Sequence, residues 1–250
     1  MYKDDFSVTA NTAKTKAEFI KKNPGGYFAA SMMAGAFVGI GVFLSFTVGS
    51  LLDGQPYARI LMGVSFSVAL SLVVIAGAEL FTGSNMVMSS GLFSKTVGLG
   101  RTLILWAFCY IGNWLGSIVI SVIFFGTGLA SGSLGEFINA ASAEKTTLAF
   151  FPLFFRAVLC NTLVCLAVWS CVRSKSDSGK LIIIFWCMFA FVTTGFEHCV
   201  ANMTLLTVSL MNNGIGAGAY FYNIFVATLG NMVGGIFFVA LPYYLITRKD

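Results

Sequence analysis

Six long apolar stretches account for most of this 250-residue chain. They cover residues 27–50, 60–92, 102–127, 151–172, 181–211 and 219–247. Each is long enough to cross a bilayer as a helix, which takes about 20 residues. Charged residues make up only 10% of the chain, whereas a soluble domain carries about 25%. The sequence therefore predicts an all-α integral membrane protein with six transmembrane helices.

The N-terminal segment and the cysteines agree with this prediction. Residues 1–26 are polar and rich in lysine, and the apolar stretch that follows is too long for the core of a cleaved signal peptide. All six cysteines lie inside apolar stretches and lack the spacing of a metal site. We interpret them as small packing residues, and we expect no metal and no cofactor.

Two of the apolar stretches, the second and the fifth, are too long for one straight crossing and are interrupted near the middle. The interruptions are Gly77-Ala78-Glu79-Leu80-Phe81-Thr82-Gly83-Ser84-Asn85 and Gly195-Phe196-Glu197-His198-Cys199-Val200-Ala201-Asn202-Met203. A carboxylate inside a membrane is costly, so an ionisable residue there is a candidate functional group. We predict two broken helices beside a polar path, because the backbone groups freed at a break need protein or water around them.

Sequence matches at one offset indicate an internal duplication. The glycines and the glutamates of the two interruptions are 118 positions apart (195 − 77 and 197 − 79). The motifs Gly112-Asn113-Trp114-Leu115-Gly116 and Gly230-Asn231-Met232-Val233-Gly234 have the same separation (230 − 112). Since each half has three spans, the second half has to enter from the opposite side, which gives two inverted three-helix repeats. The glycine pairs in these motifs permit close helix contact, within a protomer or between protomers.

The duplication divides the chain into parts. We expect a single transmembrane channel domain over residues 1–250. It consists of a cytoplasmic N-terminal helix (1–26), a first repeat (27–127), an outer loop (128–150) and a second repeat (151–250). Within the first part, residues 9–22 are expected to form a short helix at the membrane surface with a solvated face.

The basic residues predict the orientation of the chain. With the N-terminus inside, the cytoplasmic segments hold Lys3, Lys14, Lys16, Lys21, Lys22, Lys95, Arg101, Arg173, Lys175, Lys180, Arg248 and Lys249. The outer loops hold only Arg59 and Lys145. We therefore expect a multi-pass protein of the cell membrane with cytoplasmic N- and C-termini. This distribution accounts for the net charge of +5 without a nucleic-acid partner.

Three strings resemble those of a known family. They are the two interruptions, the second extended to Thr204, and Cys160-Asn161-Thr162-Leu163-Val164-Cys165-Leu166-Ala167-Val168-Trp169. Together they make the chain similar to the formate/nitrite transporter family, especially to its nitrite- and hydrosulfide-channel members. The resemblance implies an aquaporin-like protomer with its own pore, assembled as a homopentamer in the lipid bilayer. It implies transport of small monovalent anions (hydrosulfide, nitrite, formate), with no cofactor and no enzymatic reaction.

The resemblance also implies roles for single residues. His198, the only histidine, matches the pore centre, Thr82 the threonine that faces it, and Asn161 a pore asparagine that donates to a solute. Lys145 matches a cation of the outer vestibule, where it would concentrate anions. Apolar constrictions on both sides of the centre match Phe66, Leu70, Leu80, Phe81 and Phe191. Arg156 either supports the vestibule or extends to the outer surface.

The residues themselves leave alternatives open. His198 could be a buried, satisfied side chain, and a lone Thr82 in a membrane often bonds back to its own helix. Glu79 and Glu197 could be proton relays, but we favour a structural role in which they accept hydrogen bonds from backbone N–H groups freed at the breaks. A bare carboxylate facing the pore would repel anions. Asn202 is expected to brace the same loop.

A transport mechanism follows as a hypothesis. Moving a bare anion through an apolar slit is costly. Loss of water near the slit raises the pKa of the solute, which would take a proton from water or from His198 and cross in its neutral form. The half-helices, expected to begin after Asn85 and Asn202, would present their positive N-terminal ends to the centre.

Three other functions remain open at this point. A channel for water or another neutral solute suits the inverted repeat, although Asn85 and Asn202 are each followed by Met and not by the Pro-Ala of aquaporins. A membrane enzyme would have to use Glu79, Glu197 and His198 without a nucleophile–base pair or a second metal-ligating histidine. A purely structural membrane protein would leave the two costly carboxylates unexplained.

Overall fold

The computed structural model describes residues 2–248 of the chain, nearly all of them helical. Within that range the α-helices are α1 (Tyr2–Lys22), α2 (Pro24–Leu51), α3 (Ala58–Phe66), α4 (Val68–Ser71), α5 (Phe81–Phe93), α6 (Leu99–Gly126), α7 (Gly132–Thr146), α8 (Phe150–Arg173), α9 (Asp177–Thr194), α10 (Cys199–Met211), α11 (Ala217–Gly235) and α12 (Leu241–Thr247). Two π-helical segments, Leu72–Gly77 and Ile236–Ala240, follow α4 and α11. Lys249, one of the residues used to predict the orientation, lies outside the described residues.

Six helical segments are long and apolar enough to cross a membrane. They are Pro24–Leu51, Ala58–Gly77, Leu99–Gly126, Phe150–Arg173, Asp177–Thr194 and Ala217–Thr247. The prediction of an all-α membrane protein with six spans is confirmed. The half-helices α5 and α10 have 13 residues each, which rise only about 20 Å. They are too short to cross alone, and each lies beyond the break that ends the preceding span.

Both predicted breaks are present, and each begins at a glycine. Gly77 and Gly195 adopt φ values of +84° and +76°, in the left-handed region that favours glycine. The chain then runs extended until the next half-helix begins at Phe81 or at Cys199. The expectation that the half-helices begin after Asn85 and Asn202 is wrong, because the last five residues of each polar interruption already belong to the helix.

Within each half, a glycine pair lets two helices pack closely, and the packing is the same in both halves. A methyl group at Gly116 of α6 would collide with the carbonyl of Met32 in α2, and one at Gly234 of α11 would collide with that of Val158 in α8. These close contacts are therefore within one protomer. The Tyr110 and Thr228 hydroxyls lie 3.1 Å apart although 118 positions separate them, so residues related by the repeat meet each other between the halves.

Helix α1 is longer and more buried than the short surface helix that we predicted for residues 9–22. It begins at Tyr2 and buries Phe6, Thr9, Ala10, Ala13 and Ala17, which lie on one face. Small residues at this helical spacing let α1 lie close against α5. The expected solvated face covers only the other side of the helix.

The outer connection 128–150 contains helix α7. Ile138 and Ser142 of α7 are buried against the membrane helices. The Asn139 amide oxygen accepts a hydrogen bond from Ser209 of α10 at 2.9 Å, which ties α7 to the second half-helix. The connection is therefore an ordered cover over one end of the protomer.

Candidate functional site

The two breaks meet at a contact between Thr82 and His198. The Thr82 Oγ1 atom lies 3.1 Å from the His198 Nε2 atom. Thr82 is fully buried and His198 is 4% exposed. The contact joins residue two of α5 to the residue that precedes α10, so it brings the two halves together at the ends of their half-helices.

The neighbours of His198 determine which ring nitrogen carries the proton. The backbone N–H of Ala201 donates to Nδ1 at 3.1 Å. Because Nδ1 accepts, a neutral ring carries its hydrogen on Nε2 and donates it to the Thr82 hydroxyl. The hydroxyl hydrogen of Thr82 is then free, since its oxygen forms no other side-chain hydrogen bond within residues 2–248. The pair therefore presents one O–H donor.

Cavities open on both sides of this contact, and we name each after a lysine that lines it. The Lys145 cavity has a volume of about 800 Å³ and is lined by His198, Phe66 and Phe191, among others. The Lys16 cavity has a volume of about 540 Å³ and is lined by Leu70, Leu80 and other residues of the first break. His198 and Leu80 thus face different cavities, and Thr82 lines neither.

Four of the five residues expected at constrictions line these cavities. The rings of Phe66 and Phe191 meet edge to face with centroids 5.4 Å apart. Phe191 also lies over the His198 ring, with centroids 6.0 Å apart. Phe81 differs, because its ring packs against Tyr110 at 5.0 Å and lines neither cavity.

The carboxylates of the two breaks are paired with lysines. Glu79 accepts a hydrogen bond from Lys16 of α1. Glu197 accepts from Lys145 of α7 at 2.7 Å and from the Asn202 amide at 2.7 Å. The expectation that these carboxylates accept from freed backbone N–H groups is therefore wrong. Each break instead has its negative charge balanced by a helix that covers its end of the protomer.

Two asparagines take the role that we assigned to the glutamates. Asn113 accepts from the Phe81 N–H at 2.8 Å and donates to the Glu79 carbonyl at 2.8 Å. Asn231 accepts from the Cys199 N–H at 2.9 Å and donates to the Glu197 carbonyl at 2.9 Å. Neither asparagine was predicted as a site residue, although both lie in the motifs matched at offset 118. The recurrence of an asparagine at the equivalent position of each repeat was the sequence signal that could have identified them.

Asn161 lies behind Thr82, with its amide directed to protein atoms. Its Nδ2 atom is 3.2 Å from the Thr82 carbonyl, 3.2 Å from the Asn85 side-chain oxygen and 2.7 Å from the Asn231 carbonyl. Asn161 is fully buried and lines neither cavity. In this arrangement its donors hold α8 to the first break.

The Lys145 cavity carries charges of both signs. Its lining includes three basic residues, Arg59, Lys145 and Arg156, and four acidic ones, Asp53, Glu136, Glu144 and Glu197. The charge of Lys145 is balanced by Glu197, whereas Arg59 and Arg156 form no ion pair within residues 2–248. The two arginines are therefore the cations of this cavity whose charge no partner offsets.

Comparison of the sequence with known families decides the family. The sequence profile of the formate/nitrite transporter family matches residues 4–245. The chain belongs to the formate/nitrite transporter family. This family comprises membrane transporters, so the chain is a transport protein and not an enzyme. Among the described residues, no group of three or more metal-ligating side chains is present.

Individual relatives in the formate/nitrite transporter family cover nearly the whole chain. The nitrite transporter NirC of Salmonella typhimurium is 37% identical over 260 residues, which is 100% of this chain and 94% of that protein. A probable formate transporter of Methanothermobacter thermautotrophicus is 35% identical over 271 residues, covering 98% of each.

Solved structures of the formate/nitrite transporter family share the fold. One, described as an FNT family ion channel, matches with a TM-score of 0.93 and 35% identity, covering 98% of this chain and 99% of the other. A second, described as a pentameric formate channel with formate bound, matches with a TM-score of 0.80 and 31% identity over 92% and 99%. The predicted fold, six spans in two inverted repeats with broken helices, is confirmed.

Proposed function

We propose that this protein is a channel for small monovalent anions of weak acids, with nitrite, formate and hydrosulfide as its solute class. The observation that carries the proposal is the contact of Thr82 and His198 between two cavities. The contact offers one hydrogen-bond donor, with Phe66 and Phe191 lining the cavity on one side and Leu70 and Leu80 lining the cavity on the other. The relatives named for nitrite and formate support this class of solute.

The apolar residues around the contact select for a neutral solute. Phe66 and Phe191 lie on one side of the centre, and Leu70 and Leu80 on the other. A charged anion would lose its water between them at a high cost in free energy. The same loss of water raises the pKa of a weak acid, so the anion takes up a proton and passes as the neutral acid.

Thr82, which is buried between the two cavities, becomes the group that meets the solute when the solute passes from one cavity to the other. The His198 Nε2–H donates to its oxygen, which leaves the Thr82 O–H to donate to an oxygen or sulfur atom of the solute. The N-terminal ends of α5 and α10 add partial positive charge at the centre, which favours an approaching anion over a cation. His198 and Thr82 together form the pore centre.

Water is the proton source that this geometry supports. A neutral imidazole that gave away its only N–H would become an anion. A protonated one would have to break the bond that Nδ1 accepts from Ala201. Both steps are costly in a buried site. His198 therefore acts as an orienting donor to Thr82, and the proton reaches the solute from water in the cavities.

The assembly and orientation complete the proposal. We infer a homopentamer in the cell membrane, supported by the pentameric description of one similar structure. Each protomer holds its own pore. The distribution of lysine and arginine supports cytoplasmic termini, which makes the Lys16 cavity the inner entrance and the Lys145 cavity the outer vestibule.

A competition flux assay tests the proposed function. The protein is reconstituted into liposomes, and the uptake of nitrite, formate and hydrosulfide is measured at two pH values, beside water permeability by light scattering. We expect each anion to compete with the others and uptake to be faster at the lower pH. Rapid water flow without anion uptake would instead assign a neutral-solute channel.

A further inference from the structure

Leu80 and His198 occupy equivalent positions in the two repeats. They are 118 positions apart (198 − 80), and each is the last extended residue before a half-helix. Their backbone angles are nearly the same, with φ and ψ of −99° and 126° at Leu80 and −107° and 115° at His198. The two repeats therefore share one backbone conformation at this position but carry different side chains there. We call residues 79–81 and 197–199, which hold Leu80 and His198, the two mounts.

One asparagine spans each mount. Asn231 bonds to the carbonyl of Glu197 and to the N–H of Cys199, the two neighbours of His198 in the sequence. Asn113 bonds in the same way to the carbonyl of Glu79 and the N–H of Phe81, the two neighbours of Leu80. Each asparagine thus holds the chain on both sides of one residue.

Each asparagine is also anchored to a neighbouring transmembrane helix. The amide of Asn113 donates a second bond to the Ser31 carbonyl in α2 at 2.7 Å, and that of Asn231 donates to the Ala157 carbonyl in α8 at 2.8 Å. Both asparagines are fully buried. Rotation of either fully buried side chain would break three hydrogen bonds, so the mounts are held rigidly.

We propose that Asn113 and Asn231 are positioning residues that direct Leu80 and His198 into the passage, and that Asn231 thereby keeps the His198 ring in the orientation that donates to Thr82. The positioning of the two side chains does not depend on the proposed function, and only its importance for transport rests on that proposal. With its neighbours held, the ring of His198 can reach Ala201 with Nδ1 and Thr82 with Nε2 at once. Leu80 on the equivalent mount has no such atoms, so only the mount in the second repeat presents a hydrogen-bonding side chain.

The single histidine gives a direct test by NMR. The protein in lipid nanodiscs carries histidine labelled with an NMR-active nitrogen isotope, and the two ring nitrogens are observed without any solute. We expect one signal from a nitrogen without hydrogen, Nδ1, and one from a nitrogen with hydrogen, Nε2. Asn231→Asp keeps an acceptor for the Cys199 N–H but loses both N–H donors. In that variant we expect the two signals to shift or to merge through exchange between tautomers.

Asn113→Asp is the matched control, because it removes the same donors from the mount of Leu80. We expect the histidine signals of this variant to equal those of the wild type. Unchanged signals in Asn231→Asp, or equal changes in both variants, would overturn the proposal and indicate general loosening of the fold. Since no solute is present, the result does not depend on whether the anion flux assay succeeds.

A second measurement on the wild type remains decisive if Asn231→Asp does not fold. The side-chain amide hydrogens of Asn113 and Asn231 are all engaged, so they should exchange with heavy water far more slowly than those of an exposed asparagine such as Asn11. Fast exchange at either side chain would overturn the proposal. Slow exchange at both supports the two mounts.

Discussion

The Thr82 hydroxyl oxygen lies 3.1 Å from the His198 Nε2 atom, although 116 positions separate the two residues. The contact has a defined donor, because the Ala201 N–H already occupies Nδ1. Thr82 is thus left with one hydrogen to offer to a passing solute. The predictions below follow from this contact and from the groups around it.

Replacing Thr82 by valine should strongly slow uptake. Valine is close in shape and stands at the repeat-equivalent position Val200, but it neither accepts from His198 nor donates to a solute. A lost hydrogen bond to a buried group costs about 1–3 kcal/mol, and the same cost for the solute at the pore centre corresponds to a fall in uptake of about 5- to 150-fold. Thr82→Ser keeps the hydroxyl and should retain most of the uptake. Equal rates in the two variants would exclude a role for the hydroxyl.

The pH dependence of uptake should follow the solute and not the histidine. The ring stays neutral while Nδ1 accepts from Ala201, so it adds no titration of its own between about pH 5 and about pH 8. As the pH falls, a larger share of each weak acid is protonated, and uptake should rise. Initial rates for nitrite and for hydrosulfide should therefore give two different curves. One common midpoint for both solutes would show that a group of the protein titrates instead.

Removing Lys145 should destabilise the protein, because the buried Glu197 carboxylate loses the cation that balances its charge. The Glu197 side chain is 2% exposed and that of Lys145 is 23% exposed. Lys145→Met leaves a buried charge without its cation, which destabilises a protein by about 3 kcal/mol and also places a negative charge beside the vestibule. We expect a lower thermal unfolding temperature and slower anion uptake. The double variant Lys145→Met with Glu197→Gln should recover both, and failure to recover would argue against charge as the cause.

The ion pair at the other cavity supplies a comparison. Lys16 and Glu79 are 19% and 14% exposed in their side chains, whereas the Glu197 side chain is only 2% exposed. Water can therefore compensate part of the lost charge. Lys16→Met should lower the unfolding temperature less than Lys145→Met does. A larger loss for Lys16→Met would contradict this order.

Phe66 and Phe81 should behave differently although both were expected to form constrictions. Phe66 lines the Lys145 cavity opposite Phe191, so Phe66→Ala should admit larger monovalent anions such as lactate. Phe81 packs against Tyr110 away from both cavities. Phe81→Ala should lower stability, by about 3 kcal/mol or more, without changing the selectivity. Lactate uptake by the Phe81 variant and not by the Phe66 variant would reverse our assignment.

Much of the fold could be predicted because the bilayer leaves few choices. The lengths of the apolar stretches predicted six spans. The repeated Gly-x-Glu pattern predicted both breaks and the inverted repeat. The meeting of Thr82 with His198 was expected only from family resemblance. The sequence could not show that Lys16 and Lys145 reach the carboxylates, because nothing in their spacing indicates which helices fold back over the membrane ends.

The role of the asparagines shows what pattern reasoning missed. We expected charged side chains to satisfy the backbone at the breaks, but a neutral amide does so with one acceptor and two donors. Asn113 and Asn231 recur at an offset of 118 positions, but we interpreted their motifs only as glycine pairs that permit close helix packing. Phe81 was placed in a constriction by the family resemblance, whereas the start of α5 turns its ring toward Tyr110.

Proton movement during uptake tests the central claim most directly. Proteoliposomes with a pH-sensitive dye inside receive external formate while an imposed membrane potential is varied. Passage as the neutral acid should acidify the lumen at a rate that the potential does not change, above the rates of empty liposomes and of the Thr82→Val variant. Formate uptake that follows the membrane potential and leaves the lumen pH unchanged would show that the bare anion crosses, and would contradict the account.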